Sequence, residues 1–452
     1  MAATAPHTQQ DIRTLKKVIF AAAIGNLVEW FDFAVYGFLA TILAEQFFPS
    51  GDSTAALLQT FAVFAVAFAL RPLGGMVFGL IGDRIGRRRT LAVTILMMAG
   101  STTVIGLLPS YHTVGIAATV LLCAARSVQG FSAGGEYAGA CAYVLEHCPP
   151  DRKGRYSSFL PVSTFLSFAL AALLSFALSA SLSAESMSSW GWRIPFLVAA
   201  PLGLFGFYIR SRLEETPAFH AIEEQHERAP LQTWRALGPQ AGAMLKLGGF
   251  ISVTALSFYT FTSYMSTYLQ AVAHVSRSTA LLSSVIALVF AAALAPVFGR
   301  FSDRVGRRAT MTISCLLLAV LVLPAFALAG GNSLPRIIGG QWLLALGTVM
   351  CNVVTAVLLS ELFPTRVRYT ASAITYNVAY TLFGGTAPFV ATFLISKTGN
   401  NLSPALYLLV MSIVALLCAR ALPETSKRSL TDEPTSTPET AVPVLGDGVR
   451  RA

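Results

Sequence analysis

Charge is what this sequence has least of: 12% of its 452 residues are Asp, Glu, Lys or Arg, against roughly 25% in a soluble globular protein. With 54% hydrophobic residues and a mean hydropathy of +0.64, that shortage excludes a soluble fold, so the bilayer is the solvent. Cysteine is scarce too. Cys123, Cys141, Cys148, Cys315, Cys351 and Cys418 lie in apolar stretches or at their ends, where they read as small apolar fillers rather than a disulfide framework. The six histidines, His7, His112, His147, His220, His226 and His274, all fall outside the middle of an apolar stretch. No metal site is expected, and no embedded enzyme built on converging bases. No strand-loop-helix glycine motif is followed by Lys and Thr, so an ATP-driven pump is not expected. The first residues are polar and precede a stretch too long for a signal-peptide core.

What is present is length without charge. Twelve apolar stretches are long enough to cross a membrane: 17–48, 55–81, 89–109, 114–146, 155–182, 190–210, 244–272, 278–299, 309–329, 334–362, 369–396 and 402–421. Backbone groups in lipid must be satisfied within their own segment, so the stretches are helices. The expectation is an all-α integral membrane protein of 12 transmembrane helices, numbered here as spans 1 to 12. It divides into a cytoplasmic N-terminus 1–16, a six-helix bundle 17–210, a linker 211–243 holding a short amphipathic helix, a second six-helix bundle 244–421, and a disordered tail 422–452 without heptads.

The net charge of +10 suggests nucleic acid until the basic residues are placed. Of the 32 lysines and arginines, Arg193, Arg277, Arg336 and Lys397 fall on one side, and Arg71 and Arg126 fall within spans. The remainder share the other side, which marks it as cytoplasmic, with both termini. The charge sets topology, and no nucleic-acid partner is expected.

One basic phrase occurs twice. GLIGDRIGRRRT at Gly79 to Thr90 returns as GRFSDRVGRRAT at Gly299 to Thr310, with seven of twelve positions identical, close to half the chain further on. Glu146 to Pro149, before Arg152 and Tyr156, is matched by Glu361 to Pro364, before Arg366 and Tyr369. One half was therefore copied in parallel, giving two bundles around a central cavity that rock about a central site. In the loops, Asp83 with Arg84, Arg87 and Arg88, and Asp303 with Arg304, Arg307 and Arg308, are candidate clamps on the cytoplasmic helix ends.

A charged side chain in mid-membrane costs about 2.5–3.5 kcal/mol on insertion scales and marks a site by default. Glu29 and Asp32 lie on one face of span 1, about 60° apart. Asp32, with Glu29 and Glu136 of span 4, is a candidate to load and release a proton. Arg126 is placed to hold a substrate carboxylate in a bidentate fork, with Gln129 one turn on. Arg71 reads as a residue near the cytoplasmic end of span 2 that snorkels or pairs there. Trp30 and Tyr36 in the first half, and Tyr264, Tyr268 and Asn377 in the neutral second half, complete a candidate polar and aromatic wall.

The D-R-x-G-R-R loops resemble the signature of the major facilitator superfamily, over all twelve spans. GNLVEWFDFAVYGF, FALRPLGGMVFGLIGDRIGRRRT, RSVQGFSAGGEYAGA, and SSWGWRIPFLVAAPLG followed by RSRLEETPAF resemble its metabolite:proton symporter branch. That branch includes transporters of proline/betaine, α-ketoglutarate, citrate and shikimate. Gly135 to Tyr137 and PSYHTVGI lean toward the proline/betaine members. The resemblance implies uptake across a bacterial cytoplasmic membrane, driven by a proton gradient without a cofactor, by a monomer whose partners are a small substrate, protons and lipid. A citrate-like trianion calls for more cations than Arg71 and Arg126, so a zwitterion is favoured over a small carboxylate. A proton-coupled exporter is the rival within transport.

Overall fold

The computed structural model describes residues 9–49, 51–85, 87–134, 136–212, 237–331, 333–364 and 367–427. The side chains of 9–14, 16–18, 21, 79–80, 82–89, 91, 136, 138 and 209–212 lie outside this description. The amphipathic linker helix expected within 211–243 falls on residues outside it as well. Among the described residues every regular element is helical.

Among the described residues twelve crossings emerge. Eight helices are long and apolar enough to span, three shorter ones (Ala92–Leu107, Ile116–Ser132, Arg193–Tyr208) are apolar, and Ala22–Phe38 and Ala40–Phe47 form one bent pair. The helix of span 1 starts at Gln9, earlier than the apolar stretch, because an apolar run marks the lipid boundary and not the last hydrogen bond of the helix. Its 64° bend falls at Leu39, next to Gly37, whose missing side chain lets span 1 lie on Ser263 of span 7. The hydrogen bonds Leu39 N to Val35 O (3.1 Å) and Leu43 N to Leu39 O (2.9 Å) carry the ladder through the bend.

Spans 2 (Ser53–Ile85) and 4 (Ile116–Ser132, then Glu136–Glu146) cross backbone on backbone. A Cβ at Gly74 would strike the Phe131 carbonyl, one at Gly130 the Ala67 carbonyl, and one at Gly134 the Arg71 carbonyl. Small residues let helices approach this closely in lipid, where no hydrophobic force drives them together. The crossing sets Arg71 and Arg126 on neighbouring helices facing the same space.

The bundles meet along spans 5 and 8, where Gly154 and Gly299 abut, and along spans 2 and 11, where Thr381 Oγ1 donates to Phe68 O at 2.8 Å. Spans 7 and 11 each contain a π-helical turn, Thr260–Tyr264 and Tyr380–Gly385. Such turns widen the helix and recur at functional sites. The chain after span 12 was expected to be disordered throughout; Leu422 to Lys427 instead continue as described structure, with Leu422 and Thr425 buried.

The crossing yields a stability test. Gly130→Val forces the Ala67 carbonyl aside and is expected to cost about 3 kcal/mol, read as a lower melting temperature and loss of the monodisperse peak in detergent. Gly100→Val, where a Cβ meets open space, is the control. Equal stability of the two variants would remove the crossing as the organiser of the first bundle.

Candidate functional site

The buried charges of the first half converge inside the protein and none faces lipid: Glu29 is 3% exposed, Asp32 and Arg71 2%, and Arg126 0%. Span 4 aims Arg126 at the ring of Tyr36, 4.1 Å from guanidinium carbon to ring centroid. Tyr36 is fixed by its hydroxyl, which donates to Thr60 O at 2.9 Å. Arg126 Nη1 donates to Gln129 Oε1, and Gln129 Nε2 donates to Thr102 Oγ1 of span 3 at 2.8 Å. Arg126 Nε and Nη2 have no partner among the described residues. Asp32 sits beside Thr102 within electrostatic reach of Arg126, and its Oδ2 has no hydrogen-bond partner among the described residues.

Arg71 is where the structure departs from the sequence reading. It does not snorkel. The helix of span 2 runs on to Ile85, which puts Arg71 about 20 Å from its end, and the glycine crossing turns the side chain to the seam. Its Nη2 lies 3.5 Å from Glu29 Oε1. Its guanidinium packs over Phe33 (4.8 Å), Phe68 (4.9 Å) and Trp30 (5.6 Å), and Nε and Nη1 have no hydrogen-bond partner among the described residues. Trp30 is held by Asn26, whose Oδ1 accepts from its Nε1 at 2.9 Å, while Asn26 Nδ2 donates to Ser163 Oγ (2.9 Å) and Thr164 Oγ1 (2.7 Å) of span 5.

The second bundle contributes rings. Tyr264 pairs with Phe61 and Tyr268, and Tyr268 with Phe326. Asn377 Nδ2 bonds back to Ala373 O in its own helix at 2.9 Å. Tyr264 thus meets the first bundle at Phe61, while Tyr259, Tyr376 and Tyr380 face Trp30 and Tyr137. Tyr137, Tyr259, Thr102 and Asn26 escape sequence reading because uncharged residues in a helix carry no sign of which face meets the seam. The side chain of Glu136 lies outside the described residues.

On the side of the basic loops, Asp303 accepts from the backbone N–H of Gly154 (2.7 Å) and Arg155 (2.8 Å) across the seam. It also accepts from Arg307 Nη1 at 2.9 Å. Arg307 forks onto Glu361 through Nε (3.1 Å) and Nη2 (3.2 Å), and Lys153 Nζ approaches Glu361 Oε1 at 3.5 Å. The end of the chain joins in: Thr425 Oγ1 donates to Glu361 Oε2 at 2.8 Å, and Glu424 accepts from Arg307 N (2.8 Å) and Arg308 N (2.9 Å). Gly306, at φ +92°, leaves the room that Glu424 fills. Burial alone would raise the Glu424 carboxyl, but the backbone N–H donors of Arg307, Ser426 and Arg308 outweigh it and hold it below the usual carboxylate range. It therefore stays ionised at neutral pH and loses this contact only as pH falls through the lowered value. Arg308 Nη2 donates to Arg420 O at 2.6 Å, whereas Arg304 is exposed and no described contact brings it into the network. The side chains of Asp83, Arg84, Arg87 and Arg88 lie outside the described residues.

At the opposite end, Gln270 Oε1 accepts from Thr41 Oγ1 across the seam (3.2 Å) and from Arg277 Nε (3.3 Å). A cleft of about 500 Å³ there is walled by Phe47, Phe48, Gln59, Tyr111 and Thr119 among others. The central charges are closed off from both ends.

Comparison with known proteins places this arrangement. Residues 18–245 match the family of sugar (and other) transporters, and residues 249–448 match the major facilitator superfamily. The chain is 39% identical to the proline/betaine transporter of Escherichia coli strain K12, over 93% of this chain and 86% of that protein. It is 38% identical to a glycine betaine/proline/ectoine/pipecolic acid transporter of Dickeya dadantii, over 93% of this chain and 85% of that protein. Its fold is shared with a crystal structure of a D-xylose-proton symporter, with a TM-score of 0.69 at 20% identity over 91% of this chain and 99% of that one. It is shared also with an inward-open xylose transporter from E. coli, with a TM-score of 0.68 at 19% identity over 92% and 98%. This chain is a multi-pass membrane transporter and not an enzyme, and it belongs to the major facilitator superfamily, in the group that contains the proline/betaine transporters.

Proposed function

We propose that the protein is a proton-coupled symporter that carries a small zwitterion, such as proline or glycine betaine, into the cell. It works as a monomer in a bacterial cytoplasmic membrane, with the basic loops and both termini inside. The observation that carries this reading is Asp32: a carboxyl 2% exposed, with an oxygen lacking a hydrogen-bond partner among the described residues, within reach of a fully buried arginine. When the site faces outward, Asp32 takes a proton, and the loss of its negative charge leaves Arg126 free to draw in a carboxylate with Nε and Nη2. When the site faces inward, water returns, the proton leaves, and Asp32 competes for Arg126 as the substrate departs. Glu29 and Glu136 are further proton candidates, and Gln129, Trp30 and Tyr36 support the substrate wall. Two buried arginines also suit a small dicarboxylate. That is the second reading, and parallel uptake of labelled proline, glycine betaine, α-ketoglutarate, citrate and shikimate separates the two.

The network of Asp303, Arg307, Glu361 and Lys153 is the inward gate in its closed state, with Arg308 tying span 9 to the end of span 12. Opening breaks the two backbone bonds that Asp303 accepts from the other bundle and returns the start of span 5 to water. By the duplication, Asp83, Arg84, Arg87 and Arg88 form the counterpart gate.

Two tests follow from these roles. In proteoliposomes with an imposed inward proton gradient, Asp32→Asn is expected to lose uphill accumulation by at least about tenfold, the range over which a single proton group acts, while still exchanging substrate across equal concentrations. Normal, uncoupler-sensitive accumulation by this variant would remove Asp32 from the coupling role. For the gate, Asp303→Asn and Glu361→Gln leave buried cations unbalanced, a loss of about 3–5 kcal/mol for a broken buried pair. Both are expected to speed maleimide labelling of a Ser158→Cys reporter several-fold from the cytoplasmic face. Unchanged labelling would reduce the network to a topological marker.

A further inference from the structure

Five aromatic rings close a circuit at the seam between the bundles. Trp30 meets Tyr137 edge-on (6.2 Å) and Tyr259 (6.4 Å). Tyr137 stacks on Tyr376 (5.0 Å, 17°), and Tyr376 on Tyr380 (4.1 Å, 27°). Tyr380 meets Tyr259 edge-on (6.2 Å). Two rings come from the first bundle and three from the second. The hydroxyls of Tyr259 and Tyr376 have no partner among the described residues, and that of Tyr380 reaches Asn352 Oδ1 at 3.5 Å. The charges that reach the circuit are Arg71, Arg126 and Glu29: Arg71 acts on Tyr259, Tyr376 and Tyr380, Arg126 on Tyr259, and Glu29 on Tyr137 and Tyr259.

We propose that this circuit and the Arg71–Glu29 pair form the subsite that reads both charges of the substrate, and that it selects a fully alkylated ammonium over one carrying N–H groups. The proposal rests on the zwitterion reading above. The substrate carboxylate that Arg126 draws in is shared with Arg71, which meets it through its unpartnered Nε and Nη1, and the cationic head enters between the rings beside Glu29. A single contact of 3.5 Å is a loose union for a guanidinium and a carboxylate, which prefer two parallel bonds at shorter range. A zwitterion slipped between them exchanges one loose internal pair for two external ones and adds no net charge to a dry site, so the cost of burying charge is not raised.

The geometry sets the ligand chemistry. An alkylated ammonium has no proton to donate and is held by ring faces and by charge alone, which is what the circuit supplies. An ammonium with N–H groups needs oxygen acceptors as well, and a ring face offers none: a phenol oxygen lies in the plane of its ring at the edge, which leaves Glu29 as the acceptor beside the faces. The rings now lie against each other, so a bound head must part Tyr137 from Tyr376, one from each bundle. Substrate thereby acts on the contact that relative movement of the bundles must change, which ties occupancy of the site to its opening.

The test measures KM for labelled glycine betaine and labelled proline in proteoliposomes of the full chain. Tyr376→Leu is expected to raise the glycine betaine KM about tenfold, the scale of a desolvated cation–π contact, and the proline KM about threefold at most. Tyr376→Phe, which keeps the ring face, should restore most of the loss. If Tyr376→Leu does not elute as a monodisperse peak, Tyr137→Leu makes the same comparison from the other bundle. Equal KM increases for both substrates overturn the selectivity, and a Phe variant as impaired as the Leu variant overturns the ring-face mechanism. A wild-type protein that accumulates a dicarboxylate and neither zwitterion overturns the zwitterion reading itself, and this proposal with it.

Discussion

Two guanidinium groups held where neither water nor a lipid headgroup reaches them are the constraint on which the rest of the structure depends. Arginine stays charged in nearly any setting, so Arg71 and Arg126 cannot escape the cost of burial by giving up a proton. The protein answers by surrounding them with aromatic faces (Tyr36, Phe33, Phe68, Trp30) and with one acceptor each, Glu29 of span 1 for Arg71 and Gln129 of span 4 for Arg126. Neither shell is complete. The remaining N–H edges have no partner among the described residues, and a transporter needs such an edge, because a fully satisfied cation would hold no ligand.

The backbone crossing of spans 2 and 4 makes that arrangement possible. Without side chains at Gly74, Gly130 and Gly134, the helices approach until carbonyl meets Cα, and the two arginines share one space at the cost of their own mutual repulsion. Glu29 offsets that repulsion on one side and Asp32 on the other. Four ionisable groups on three helices thus share one buried space, whose net charge a single proton on Asp32 changes.

Much of this was legible in the sequence. Low charge density, twelve apolar stretches and the repeated G-x-x-x-D-R-x-G-R-R phrase specify a duplicated helical membrane protein, because lipid permits so few alternatives. Glu29, Asp32 and Arg126 announce themselves by being charged in the wrong solvent. Arg71 was misread because its distance from the basic loop was judged by the lipid boundary, whereas the helix continues to Ile85. The neutral side of the site was harder still. Tyr264 and Tyr268 share a helix with Tyr259, and only the turn of that helix past Thr260 decides which partners each ring meets, Phe61 for Tyr264 and Trp30 for Tyr259. Glu424 was lost in a polar tail whose composition gives no sign that one carboxylate caps a helix.

Charge in the middle of the spans is confined to one bundle, and among the described residues the other bundle answers with neutral rings. This division separates two problems for evolution. Substitutions on spans 7 and 11 can reshape the neutral wall, and so the diet of the organism, without touching the buried acids and arginines. Related proteins with different cargoes are then expected to diverge fastest on the neutral wall, with the charged wall inherited almost intact.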